Sequence, residues 1–191
     1  MTEYFTENDD ILDNKLGIDD PALMQQAEEE IVTPLIVDLE IEPIQGRFNF
    51  EHLKAIHRYL FGDIYDIAGE VRTVDMAKNG SVFCYVQNID MIQSSIFDKL
   101  RNDNYLRGMQ KSAFVRALAQ LSGDLNALHP FREGNGRAIR CFLKQLAREV
   151  GYDLDYDGIA KEELLQADIE AFRGSMDSLA ELYADNCTAL D

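Results

Sequence analysis

His129-Pro130-Phe131-Arg132-Glu133-Gly134-Asn135-Gly136-Arg137-Ala138-Ile139-Arg140 runs between two apolar segments with helical spacing. Before it, Phe114, Val115, Leu118, Leu121 and Leu125 recur as one helix face; after it, Ile139, Phe142, Leu143 and Leu146 restart the pattern. Pro130 ends the first helix, because it has no N–H and restricts the residue before it. The stretch therefore reads as a loop clamped between two buried helices. Gly134 and Gly136 free the backbone for φ > 0 or for close approach to a ligand. Successive N–H groups there form an anion-binding concavity, to which the next helix adds its positive end. Arg137 and Arg140, three apart, share a helix side from which guanidiniums can grip phosphate oxygens. Glu133, being negative, suits a Mg²⁺ ion that is shared with phosphates. His129 stands where an imidazole could take a hydroxyl proton. Each residue also has an ordinary reading: a helix-end histidine, an acid that complements a helix dipole, solvated arginines. Their coincidence in one loop points to a polyphosphate site.

The rest of the chain reads as mainly α. Met1 to about Ile18 is an acidic, partly ordered arm, and 19–191 form a single domain with a core at about 48–185. Asp19-Asp20-Pro21 starts a helix carrying Leu23, Ala27 and Ile31, with Pro34 marking its end or a kink. Phe48-Asn49-Phe50 opens the next, with Leu53, Ile56, His57, Leu60 and Phe61 in phase; His52 and His57 read as packing or surface residues. Val71, Val74, Val82, Phe83 and Tyr85 flank the turn Lys78-Asn79-Gly80, a β-hairpin. Further helices are expected around Ile89–Leu100, Lys161–Gln166 and Asp168–Tyr183.

The formal charge of −17 speaks against a nucleic-acid-binding surface. Against it, Arg132, Arg137, Arg140, Lys144 and Arg148 form a positive island interrupted only by Glu133, as a polyphosphate site on an acidic protein requires. Cys84, Cys141 and Cys187 are an odd set without a CxxC pair, no secretory signal is read, and no apolar run reaches membrane-spanning length. A reduced, cytoplasmic protein is expected, with no membrane partner.

His129–Arg140 resembles the signature of the Fic (Fido) family, His-x-Phe-x-(Asp/Glu)-Gly-Asn-Gly-Arg-x-x-Arg, at every specified position. His52–Val74 is similar to the family's helix leading into its flap hairpin, and Leu125–Phe131 to the end of its motif helix. The resemblance implies a helical bundle with a small β-hairpin flap. The implied activity is protein adenylyltransferase (AMPylation): AMP passes from ATP to a Ser, Thr or Tyr hydroxyl of a target protein, and pyrophosphate leaves. Carried over by position, His129 is the base, Phe131 anchors the loop and Glu133 holds Mg²⁺. Gly134, Asn135 and Gly136 line the anion hole, while Arg137 and Arg140 bind the outer phosphates. In the flap, Lys78 lies near the nucleotide or target, and Asn79, Gly80, Val82 and Phe83 dock the target. Other readings stay open on the same fold, namely kinase, UMP or phosphocholine transfer, and so does a non-catalytic ATP-responsive binding module. A kinase of the Doc type carries Lys where Gly136 stands. The family's inhibitory pattern (Ser/Thr)-x-x-x-Glu-(Gly/Asn) is not matched, since the residues four before Glu7 and Glu133 are Glu3 and His129. A toxin-type protein restrained by a separate small antitoxin, whose Glu pairs with Arg140, is the resulting expectation; no inhibition, or an inhibitory helix of divergent sequence, stays open beside it.

Overall fold

Asp20 caps the first helix, its carboxylate accepting from the N–H groups of Ala22 and Leu23 at 2.9 Å each, with Pro21 in the first turn. The computed structural model describes residues 11–78 and 81–190, and this helix, α1, spans Pro21–Ile41. It does not stop at Pro34. Proline there removes one ladder bond, but Val32 and Leu39 on either side are 1% and 3% exposed, and their burial carries the helix through. The buried positions of α1 are Met24, Glu28, Val32 and Leu39, so one carboxylate lies within an otherwise apolar stripe.

Asn49 caps α2 (Phe50–Phe61) by accepting from the His52 N–H at 3.0 Å. Turns then lead to β1 (Ala77–Lys78) and β2 (Ser81–Val82), antiparallel with Ala77 opposite Val82 and Lys78 opposite Ser81. Helices α3 (Ile89–Asn102), α4 (Lys111–Leu128) and α5 (Asn135–Glu149) follow. After them come β3 (Tyr152–Leu154), α6 (Lys161–Phe172), α7 (Asp177–Asp185) and β4 (Cys187–Ala189). Helix α4 runs through the core between α3, α5, α6 and α7, with Phe114, Leu118, Leu125 and Leu128 fully buried. Phe142, Leu143 and Leu146 bury the facing side of α5, and α2 covers them.

Two features differ from expectation. A second antiparallel pair joins β3 to β4, with Leu154 opposite Cys187, and ties the C-terminal segment back behind α5; such short, mixed-polarity strands lack a readable alternation. The last two helices divide at Gly174, whose φ of 101° ends α6. Asp168, expected to begin a helix, lies inside α6, where its carboxylate accepts from the Asn126 side chain at 2.9 Å. Residues 1–10 lie outside the described residues. Ile11 and Leu12 are buried, and the Lys15 N–H donates to Ile64 O at 2.8 Å, which lays residues 11–18 against the turn after α2.

Asp20→Ala leaves two α1 N–H groups without their acceptor. A loss of about 1 kcal/mol in unfolding free energy is expected, read as a lower urea midpoint at unchanged slope.

Candidate active site

Helix α4 ends at Leu128, and His129 follows in the left-handed region at φ 46°, its N–H donating to Leu125 O at 3.0 Å. Right-handed helical geometry is disfavoured before proline, so Pro130 forces the chain out of the helix here. A non-glycine residue in this region stores strain, on the order of 1 kcal/mol or more, that its surroundings must offset. The offset is visible. Phe131 is fully buried and stacks on the His57 ring at a centroid separation of 3.9 Å. Asn135, 3% exposed, returns its side-chain amide to Phe131, accepting from its N–H at 2.9 Å and donating to its carbonyl at 2.8 Å. Gly134 has φ 72°, and a Cβ there would lie 2.4 Å from the Phe61 ring, so glycine is required for both conformation and space.

Helix α5 thus begins at Asn135 with Gly134 at its cap position and no side-chain cap bond. Its first N–H groups are left for a ligand, and the helix dipole favours an anion there. Arg140 folds back toward this end: a Cβ on Gly136 would be 3.2 Å from Arg140 Nη1, so the missing side chain is space the guanidinium uses. Among the described residues no carboxylate lies within ion-pair distance of Arg140. Arg137 is more committed. It pairs with Glu28 of α1, stands 4.7 Å over the Phe61 ring, and is 3.6 Å from Glu133. The Glu133 side chain is 53% exposed, with Oε1 accepting the Gly134 N–H at 2.9 Å. Glu133, Arg137 and Arg140 line one cleft of about 1370 Å³ between α1, α5 and α6.

His129 is not in the wall of that cleft. Its ring lies face to face with Phe83, centroids 3.8 Å apart and planes 10° from parallel, with Phe172 edge-on behind Phe83. Nδ1 is 3.3 Å from Asn126 O. A carbonyl only accepts, so the Nδ1 proton belongs to this contact and the ring's lone pair is on Nε2. Phe83, expected to dock a target, packs on the candidate base. Val82 is half-exposed. Asn79, Gly80 and the Lys78 side chain lie outside the described residues.

Three positioning groups were not read from the sequence as part of the site. His57 accepts the Gly69 N–H at Nδ1 (2.9 Å) and donates from Nε2 to Glu133 O (2.8 Å), so a neutral ring links two loops. Desolvation by burial holds its pKa down at about 4 despite the bond to Glu133. Arg72, 2% exposed, donates to His129 O and Val74 O at 2.7 Å each, to Cys84 O, and to Leu128 O at 3.4 Å. Its charge sits where the C-terminal carbonyls of α4 are negative, and it binds the hairpin's base to the start of the loop. Burial lowers its pKa. Glu28 is the third, its other oxygen accepting from Tyr65 OH. No local sequence signal marks these residues, since their partners lie up to 109 positions away.

The chain matches the Fic/DOC family over residues 47–147. It is 38% identical to the protein adenylyltransferase VbhT of Bartonella schoenbuchensis over 98% of this chain and 41% of that protein. It is 35% identical to a probable protein adenylyltransferase Fic of Escherichia coli K12 over 92% and 86%. The crystal structure of BepC from Bartonella tribocorum with bound AMPPNP superposes with a TM-score of 0.93 at 27% identity, covering 98% of this chain and 97% of that one. This chain belongs to the Fic/DOC family. It spans less than half the length of VbhT and most of the E. coli relative.

An unfolded imidazole takes its proton near pH 6.5, whereas folded His57 does so only near 4. Between those values the unfolded chain binds more protons, so acidification costs stability, up to roughly 3 kcal/mol for this group. Urea unfolding from pH 7 to 4 should fall less steeply in His57→Gln than in the unsubstituted chain, although the variant starts lower at pH 7. Asp168 has the opposite pH dependence. Desolvation raises its pKa to about 6, so the folded state binds its proton more tightly than the unfolded. Its ionisation therefore lowers stability as pH rises from about 4 through 6. Asp168→Asn is expected to gain stability relative to the unsubstituted chain across that window.

Proposed function

We propose that this chain is a protein adenylyltransferase that moves AMP from ATP to a Ser, Thr or Tyr hydroxyl of a target protein. The observation that carries this reading is the uncapped start of α5, with Arg140 folded back over Gly136 at the cleft. The N–H groups of Asn135, Gly136 and Arg137 seat the α- and β-phosphates, and Arg140 meets the γ-phosphate. His129 Nε2 takes the proton of the target hydroxyl as its oxygen attacks the α-phosphorus. The bond to the β-phosphate's bridging oxygen breaks, and pyrophosphate leaves into the cleft. The Asn126 carbonyl at Nδ1 stabilises the imidazolium formed. Phe83 covers one face of the imidazole. The target segment pairs along the flap by strand addition. The names of the curated relatives and the AMPPNP in BepC support the reading.

A Mg²⁺ ion fits the same cleft. Glu133 offers one half-exposed carboxylate, and among the described residues no three acids, histidines or cysteines converge. The remaining ligands would come from phosphate oxygens and water, the habit of Mg²⁺. When bound, the ion supplies charge neutralisation at the leaving phosphates. Restraint by a separate small antitoxin is also proposed: its Glu would occupy the Arg140 guanidinium, which no carboxylate of the described residues pairs. A reducing, cytoplasmic setting agrees with three unpaired thiols, of which Cys141 is buried with its pKa pushed up to about 12. No described helix is long and apolar enough to cross a membrane.

His129→Ala is expected to abolish incorporation of α-labelled ATP into lysate proteins while AMPPNP still binds. Label arriving only from the γ-position would replace this reading with a kinase, and an unchanged signal in His129→Ala would leave a binding module. Adding purified antitoxin candidates should suppress transfer by the unsubstituted chain and leave the lower residual transfer of Arg140→Ala unchanged.

A further inference from the structure

We infer that Glu28 is a positioning residue that keeps the Glu133 carboxylate available to a divalent cation by holding Arg137 away from it. The inference rests on the nucleotide reading above but goes beyond it, because Glu28 lies on α1, outside the matched stretch 47–147. Arg137 faces two carboxylates. One is Glu28, 9% exposed, with Oε2 on the guanidinium and Oε1 on the Tyr65 hydroxyl. The other is Glu133, in the loop four positions before Arg137 and 3.6 Å away, too far for a hydrogen bond. The Phe61 ring beneath the guanidinium fixes its plane.

A buried carboxylate that has lost its water needs a cation and donors, and Glu28 finds both here. Glu133 is half solvated and has lost far less, so it is the weaker competitor. Tyr65 sharpens the preference by donating to Glu28 while its own burial and the neighbouring acids raise its pKa far above the ordinary phenol value. The result is division of labour between two acids around one arginine. Glu28 neutralises Arg137, and Glu133 stays turned to the cleft with charge to spare. Removal of the Glu28 charge leaves Arg137 a single carboxylate partner, and the ion pair with Glu133 closes. That pair would occupy the oxygens a cation needs.

Two measurements test this on the full chain. In a crystal structure of Glu28→Gln, which retains an acceptor for Tyr65, the Arg137–Glu133 separation should close from 3.6 Å to hydrogen-bond distance. In calorimetric titrations of AMPPNP, the Mg²⁺ concentration for half-maximal binding should rise about tenfold, as when a residue orienting a metal ligand is removed. Affinity at saturating Mg²⁺ should remain near that of the unsubstituted chain. In an Arg137→Gln background the same Glu28→Gln substitution should produce no further shift. An unmoved Arg137–Glu133 separation, an unchanged Mg²⁺ midpoint, or an equal shift in both backgrounds overturns the inference. Should Glu28→Gln not fold, Glu28→Asp retains the charge with a shorter reach and should give a smaller shift; no shift overturns it equally. If the unsubstituted chain binds no AMPPNP at any Mg²⁺ concentration, the nucleotide reading falls, and the crystallographic distance alone decides the role of Glu28.

Discussion

Two hydrogen bonds between the Asn135 amide and the backbone of Phe131 hold the loop on which everything else depends. They close a turn whose first residue, His129, is strained at φ 46° and whose last, Gly134, has no room for a side chain. Without that closure, the start of α5 would satisfy its N–H groups in water. With it, the helix end is presented in a fixed place beside Arg140. A side chain that reads as a phosphate ligand serves the fold first: Asn135 spends its amide on Phe131 and has its backbone N–H left for an anion.

Three buried polar residues surround this loop, and each meets the cost of burial differently. His57 stays neutral, accepting with one nitrogen and donating with the other, so no charge is desolvated. Arg72 keeps its charge and surrounds it with carbonyl oxygens at the negative end of α4, with no carboxylate in its hydrogen-bonding set. Glu28 keeps its charge and pairs it directly with Arg137. Between them they join α1, α2, the base of the flap and α4 to one short segment. The loop where phosphates would be seated is thus held by buried contacts, and Phe83, just after β2, lies over the His129 ring.

Much of this could be read along the chain. The apolar spacing of α2, α4 and α5, the break at Pro130 and the pairing of β1 with β2 follow local patterns, and local patterns survive in sequence. Where the reading slipped, a longer-range contact had overridden a local cue. Of the two outcomes read at Pro34, an end or a kink, the end does not occur, and Val32 and Leu39 are buried on either side of it. Asp168 has the character of a helix cap, yet Asn126 on α4 holds it mid-helix. The β3–β4 pair joins segments with Tyr152 opposite Ala189, separated by the whole of α6 and α7.

By itself the order of residues determined the helical class, the position of the loop and the set of groups for phosphate chemistry, because periodicity, proline and glycine act over a few bonds. Only the tertiary structure decided which of those groups are still available. Burial assigns Arg137 to Glu28, leaves Arg140 at the cleft and lays Phe83 across His129. The reason is physical: a charge taken from water bonds to whatever the fold brings within about 3 Å, and partners separated by a hundred residues leave no trace in spacing.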